Sequence, residues 1–311
     1  MKVSLALTAV AMCSPHAIVA SILFGGLGGH NVTTGPTASA NDGALAIVDQ
    51  SNGSVSIVGH PAGVSRITGL ALDSLGGLYA STTGSAPFPP PPQGPLFSDL
   101  IQLNPTNGTL ISDVPITSGG TPLSIADLAI QPVTNVIYAV SSPHGTLPPG
   151  QLYTVNKTTG VATPVGTPGT FFASIAFTPN GTLYEAVADF AGMGPINPRL
   201  QILNPLTGAP TGAPVPTAFF FGALGPGPNN TFLYAGTGDE SGLYSLNPAT
   251  GAATFIGDTG LNFVGDFALS PVPEPTGAAL VCLSLFLIVI RRRHTESSTP
   301  SASSRSPSYE R

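Results

Sequence analysis

Residues 125–166 read IADLAIQPVTNVIYAVSSPHGTLPPGQLYTVNKTTGVATPVG. The stretch opens on an apolar run with a small residue near its centre, passes a turn, and continues into a run carrying Ile137-Tyr138. It then crosses an irregular segment and ends on two short alternating runs around Asn156-Lys157-Thr158-Thr159-Gly160. Alternation with period two, interrupted by Asn, Pro and Gly, marks strands joined by tight turns. The last turn is a hairpin signal, because its terminal Gly takes the positive φ that closes it.

The same landmarks recur along the chain. The aromatic-bearing strand appears as Leu23-Phe24, Leu78-Tyr79, Ile137-Tyr138, Leu183-Tyr184 and Leu233-Tyr234, about 46 to 59 residues apart. The Asn-Pro-x-Thr-Gly type of turn appears at 49–53, 104–108, 156–160, 204–208 and 247–251. Short alternating runs flank it, as at 243–246 and 253–256. The apolar strand with a central small residue appears at 67–72, 125–130, 174–177 and 264–269; a copy near 221–224 is blurred by Gly225 and Pro226. Four strands per repeat with a period near fifty residues predict an all-β fold, a β-propeller. The order resembles the YVTN and NHL types of bacterial propeller over residues 21–271, which implies that the 125–130 type of strand is innermost. The body begins on an aromatic strand, 22–25, with no innermost strand before it, and ends on an innermost strand, 264–269, with no aromatic strand after it. Together they complete one blade, so five four-stranded blades closed by the N- and C-terminal strands are expected, with no open edge. A β-helix or sandwich is the alternative architecture.

Composition agrees. Of 311 residues only 8% are charged, against about a quarter in an average soluble domain, while 38 Gly and 33 Pro suit turns rather than helices. The 42% hydrophobic content allows a substantial core.

The ends read as addresses. Lys2, an apolar run over 3–12, Pro15 and the small Ala20 before Ser21 form a signal peptide (1–20), cleaved between Ala20 and Ser21. Cys13 raises a lipoprotein alternative, although Met12 stands where a lipobox would want a small residue. At the other end Val272-Pro273-Glu274-Pro275 precedes an apolar stretch over 276–290, then Arg291, Arg292, Arg293 and His294. Fifteen helical residues span about 22 Å, short of the ~30 Å hydrocarbon core, so snorkelling arginines and local thinning complete the span of this C-terminal transmembrane helix. The arginines stop the segment on the cytoplasmic side and leave the body outside. This order, over residues 272–294, resembles the PEP-CTERM sorting signal of bacterial exported proteins. The resemblance implies recognition at Pro273, Glu274 and Pro275 by an exosortase, removal of the membrane helix, and delivery to the cell surface or matrix, often alongside exopolysaccharide. An ordinary single-pass anchor is the alternative reading. Residues 295–311 form a Ser-rich tail that composition predicts to be disordered. Cys13 and Cys282 both lie outside 21–271, so the body can hold neither a disulfide nor a Cys metal site.

Candidate chemistry is sparse. Asp127 and Asp266 occupy equivalent places on innermost strands, where Gly69 and Ser174 stand in other blades. At a central channel, two carboxylates can hold Ca²⁺ or act as an acid/base pair; capping backbone amides is the commoner role. Asp239 and Glu240, in a Gly-flanked loop, are a second Ca²⁺ candidate without EF-hand or nonapeptide spacing. His30, His60 and His144 have no partner at metal-ligand spacing, and no Gly-x-Ser-x-Gly element exists. Tyr79, Tyr138, Tyr184 and Tyr234 recur once per blade, as packing residues do. Irregular sequence over 27–43, 83–99, 141–150, 189–199 and 236–242 falls on one face, the candidate binding surface. Pro87 and Pro89 to Pro92, with Phe88 and Phe97, make a stiff polyproline loop there.

Within 21–271 twelve acidic residues face only Arg66, Lys157 and Arg199, a body of net −9 inside a chain of net −6. That argues against nucleic acid and other anionic partners. The function expected is a binding or structural module, exported, anchored at the inner membrane and then surface-located, whose partners are the sorting machinery, the membrane before processing, and exopolysaccharide or surface proteins. No cofactor is expected apart from the Ca²⁺ candidates. The rival expectation is a propeller enzyme acting on extracellular glycans through Asp127 and Asp266.

Overall fold

The computed structural model of the chain describes residues 21–28, 40–82, 97–142, 150–168, 173–191, 194–230, 233–236, 242–260 and 264–270. Ser21–Pro271 is one compact unit, and its described residues form five antiparallel four-stranded sheets. Blade one is Ile67–Leu72, Leu78–Thr82, Asp99–Leu103 and Leu110–Pro115, from the innermost strand outward. Blade two is Ile125–Ile130, Ile137–Ser141, Leu152–Val155 and Ala162–Gly166. Blade three is Ala173–Phe177, Leu183–Ala191, Gly194–Leu203 and Pro210–Pro216, and blade four is Ala223–Pro226, Leu233–Gly236, Gly242–Leu246 and Ala253–Asp258. Blade five is the composite one: Val264–Leu269 pairs with Leu23–Leu27, followed by Leu45–Val48 and Val55–Gly59. Its register, Leu23 opposite Leu269 and Gly25 opposite Phe267, closes the ring from both chain ends. The Ser270 amide donates to the Ile22 carbonyl at 2.8 Å, and the Ile22 amide donates to Ser270 Oγ at 2.6 Å. Each innermost strand packs against two others in the order five, one, two, three, four and back to five.

Burial follows position in the blade. The second strands of blades one and two are buried along their whole length, whereas the outer strand Leu110–Pro115 is half-buried or exposed throughout. The core lies between blades. Ala129, Tyr138, Val140 and Leu152 of blade two meet Ile175, Phe177, Leu183 and Leu203 of blade three, with the Tyr138 and Phe177 rings edge to face at 5.2 Å. Each such side chain contributes about 1.5–3 kcal/mol on burial. The tyrosine expectation holds at Tyr79, Tyr138 and Tyr234, all buried between blades; the Tyr234 hydroxyl donates to Gln50 Oε1 at 2.6 Å, tying blade four to blade five.

The five turns share one geometry. In each, the Gly amide donates to the carbonyl of the leading Asp49, Asn104, Asn156, Asn204 or Asn247 at 2.8–2.9 Å. Side-chain Oδ1 of that residue accepts the amide two residues on at 2.8–2.9 Å. The Gly φ values lie between 68° and 77°, a region that costs other residues about 1–2 kcal/mol.

Two local expectations are corrected. The blurred fourth innermost strand runs over Ala223–Pro226. Gly225 is there because the neighbouring strand comes close: a Cβ would meet Phe267 Cβ at 2.5 Å. Residues 189–191 and 194–199 continue a long hairpin rather than forming irregular loop, with Asp189 opposite Ile196 and Ala191 opposite Gly194. Asn197 at φ 51° and a register shift between Val187 and Asp189 absorb the irregularity that Pro195 and Pro198 suggest. The C-terminal helix expected over 276–290 lies outside the described residues.

Candidate functional site: a carboxyl pair in the innermost ring

Register fixes which residues are equivalent. Gly69, Asp127, Ser174, Ala223 and Asp266 each face the fourth residue of their blade's second strand. Asp127 and Asp266 are therefore at one level of the ring, and both are buried. Each reaches the innermost strand of the next blade. Asp266 Oδ2 accepts the Leu70 amide of blade one at 2.6 Å. Asp127 Oδ2 accepts the Ile175 amide of blade three at 2.7 Å and the Ser174 hydroxyl at 2.6 Å, while its Oδ1 accepts the Leu128 amide at 2.7 Å. Between them blade one contributes only Gly69, whose absent side chain leaves room: a Cβ there would stand 2.8 Å from Asp127 Oδ1 and would strike the Leu128 amide.

Across that gap the two carboxyls interact with each other, each shifting the other's proton affinity. Burial is the largest cause raising Asp127 above the ordinary carboxylate range, opposed by its hydrogen bond from Ser174, by Asp266 and by the two amides. Burial likewise raises Asp266 well above that range, helped by the Asp127 charge. Two adjacent buried carboxyls cannot both ionise cheaply, so the pair holds one proton. Donor counting locates it. Asp127 accepts three hydrogen bonds and is served best as the carboxylate. Asp266 Oδ2 accepts the Leu70 amide while its Oδ1 has no donor within hydrogen-bonding distance, which makes Asp266 the better carrier of the shared proton.

Just beyond the pair the axis is apolar. Leu70, Leu128, Ile175, Leu224 and Phe267 line a cavity of about 30 Å³, room for about one water. The amide and hydroxyl hydrogens directed at the carboxyls suit an anion or a shared proton and repel a cation. Among the described residues no three His, Cys, Asp or Glu side chains cluster as a metal site would.

Glu185 was not singled out by the sequence reading, yet it is fully buried. It stands in the second strand of blade three between Ile175 and Gln201, where the other blades have Gly25, Ala80, Ala139 and Ala235. That contrast between one charged residue and four small ones was the available signal. Asp73 is a fourth buried carboxylate. Burial raises it, but the Lys157 ammonium at 2.6 Å and the Gly77 and Leu75 amides outweigh that and hold it below the ordinary range. Lys157 also lies over the Tyr79 ring, 4.8 Å from its centre.

Ser21 begins the described body, its carbonyl accepting Gln50 Nε2 at 2.6 Å. Ala20, Asp239, Glu240, His30, His144, the polyproline run, Val272, Pro273, Glu274, Pro275, Arg291, Arg292 and Arg293 lie outside the described residues. On the candidate face, Phe219 and, on the adjoining outer strand, Phe255 are 46% and 57% exposed and flank Tyr244 at 5.7 and 5.3 Å.

No family model matches the chain, and no curated protein is similar to it. Among solved structures it is similar to a chain of a nidogen–laminin complex, at 10% identity over 81% of this chain and 98% of that one, with a TM-score of 0.47. It is also similar to TolB from Acinetobacter baumannii, at 14% identity over 86% and 70% with a TM-score of 0.46. A protein of unknown function from Bacteroides caccae matches at 12% identity over 82% and 99%, with a TM-score of 0.45.

Proposed function

We propose that this chain is an exported β-propeller, held at the cytoplasmic membrane through residues 276–290, sorted by an exosortase at Pro273-Glu274-Pro275, and delivered to the cell surface or matrix as a non-catalytic binding or structural module. The observation that carries the reading is the position of the motif. The propeller closes at Ser270, and Val272-Pro273-Glu274-Pro275, the apolar stretch and Arg291 to Arg293 follow directly.

A non-catalytic role is supported by the use of the two ring aspartates. Their oxygens face backbone amides of neighbouring blades, and a general acid or base needs contact with substrate. Phe219 and Phe255, on an acidic body, suit the apolar face of a neutral sugar or a protein side chain better than an anion.

The test follows the C-terminus in a bacterial host with and without exosortase. Intact-mass measurement is expected to show loss of the segment beyond about Pro275 only when the enzyme is present. A tagged protein that stays in the cytoplasm overturns the proposal.

A further inference from the structure

Four aromatic side chains meet where blade three leads into blade four. Phe219 and Phe221 stand in the connection from Pro210–Pro216 to Ala223–Pro226, Tyr244 stands in the third strand of blade four, and Phe255 lies opposite it in the outermost strand. Phe221 is buried in the core between the two blades and backs the others, its ring 6.3 Å from Phe219 and 5.9 Å from Tyr244. Phe219, Tyr244 and Phe255 follow one another at 5.7 and 5.3 Å, and the two end rings are 46% and 57% exposed.

This ledge is held from within. Thr217 Oγ1 donates to the Phe219 carbonyl at 2.8 Å, and the Thr217 amide donates to the Pro198 carbonyl at 2.9 Å. Gly242 leaves space to the Tyr244 ring, since a Cβ there would lie 2.6 Å from it. A row of fixed aromatic rings suits an extended proline helix, which packs its rings between aromatic faces and loses little entropy because it is extended already.

The chain itself carries such a segment. Residues 87–92 read Pro-Phe-Pro-Pro-Pro-Pro, so Pro87 and Pro90, and Pro89 and Pro92, are each one proline-helix turn apart. No charged residue occurs from Thr83 to Ser98, and the body that bears the ledge has a net charge of −9. A neutral segment therefore approaches without the repulsion that an acidic one would meet. It cannot lie along the ledge of its own chain. From Thr82 to Pro89 the backbone spans at most ~25 Å, and from Phe97 to Pro92 at most ~18 Å. Blade four is two steps round the ring from blade one, and strand spacings of about 4.8 Å put Phe255, in an outermost strand, roughly 30 Å from both ends of the segment.

We propose that the polyproline segment 87–92 of one copy docks on the Phe219–Tyr244–Phe255 ledge of a second copy and joins the two head to tail. Segment and ledge are different surfaces, so each added copy leaves one of each free for a further copy. The acidic bodies repel one another, so association strengthens as salt screens them, the opposite of a contact made by ion pairs. The contact does not depend on the export reading above.

The test uses the full chain in a non-ionic detergent, with the photoreactive residue p-benzoylphenylalanine at position 88. Unlabelled and heavy-isotope-labelled protein are mixed in equal amounts before illumination. Cross-links from position 88 to peptides containing Phe219, Tyr244 or Phe255 are expected to join heavy to light partners, with a higher yield at high salt than at low. Phe219→Ser with Phe255→Ser should lower that yield about tenfold. Pro89→Ser, Pro90→Ser, Pro91→Ser and Pro92→Ser together, which alter no strand of a blade, should do the same. Cross-links that join only partners of one isotope, or that miss the ledge, overturn the proposal. So does a yield that survives the four proline changes, and so does binding of cellohexaose to the ledge with no heavy-to-light pair, the result for a neutral-sugar platform. A chain that escapes C-terminal processing gives the same cross-links, so failure of the export reading is told apart from failure of this one.

Discussion

Asp127 and Asp266 carry the same side chain at the same level of the ring, yet they are expected to tolerate amidation differently. Asp266 Oδ2 accepts the Leu70 amide, its Oδ1 has no donor within hydrogen-bonding distance, and the Asp127 carboxyl interacts with it. An Asn there reproduces both roles, with its oxygen accepting Leu70 and its NH₂ donating to the Asp127 carboxylate. Asp127 accepts from Leu128, Ile175 and Ser174 through both oxygens, and an Asn has one acceptor too few. Asp127→Asn should therefore destabilise the body by about 1–3 kcal/mol. The pH dependence has a definite sign. Both native values lie above the ordinary 3.8, so the folded state holds a proton that the unfolded state has released. The stabilising contribution is complete below 3.8 and is lost as pH rises through the native values. Asp266→Asn removes the titrating proton, so its stability relative to the parent should increase as pH rises from the ordinary 3.8 through about 7, read by urea unfolding at each pH. A parent and variant whose difference is flat with pH would show that the pair does not share a proton. The column holding the two aspartates was legible in the sequence because equivalent strands could be aligned. Their linkage was not, because it depends on Gly69 in the blade between them, and a glycine has no side chain to announce the gap it leaves.

At the level of elements, the five turns could be read directly, since their chemistry is local: an Asx side chain that accepts its own backbone and a Gly at positive φ. What each turn packs against is not local. Gly53, Gly108, Gly160, Gly208 and Gly251 abut the ends of the preceding blade's outer strands at Gly257, Gly59, Pro115, Gly166 and Pro216. A small or backbone-constrained residue at every outer-strand end is thus the second half of the turn motif, and it went unread because its reason lies one blade away. The same limit hid the 189–199 hairpin, whose prolines look like loop sequence until the partner strand is in place. Two glycines separate conformational strain from crowding. Gly208 and Gly212 both sit near φ 70°, but a Cβ at 208 would lie 2.8 Å from the Gly166 backbone, while at 212 nothing lies within 4 Å. Gly212→Ala should cost about 1 kcal/mol, the price of the φ value alone. Gly208→Ala should cost more by about 1–3 kcal/mol because two blades must part. Equal midpoints in chemical denaturation would mean that the turn-to-strand contact carries no stability.

For the whole molecule, the closing blade decides how the ring responds to cutting. Leu23 and Leu27 are buried with Ala223, Tyr234, Val264 and Phe267 in one cluster that joins blades four and five. Removing residues 22–27 would leave Val264–Leu269 without its partner and split blade five, so the remaining ring has two exposed edges and a missing wedge of core. Cutting elsewhere avoids both losses. Gly119 and Gly120 form the tip of a two-residue-per-strand hairpin between blades one and two, each at positive φ with nothing near a prospective Cβ. Ser270 and Ile22 are already hydrogen-bonded to each other. A circular permutant of the body, opened between Gly119 and Gly120 and joined from Ser270 to Ser21 by a short Gly/Ser linker, keeps every blade sheet intact. It should unfold cooperatively with a midpoint close to that of the parent body, whereas the 22–27 deletion should be aggregated or unfolded, as measured by size-exclusion chromatography and thermal melting. If the deletion melts like the parent, the ring does not depend on its terminal strands, and stability must come from the remaining blade interfaces one pair at a time, as in an open solenoid.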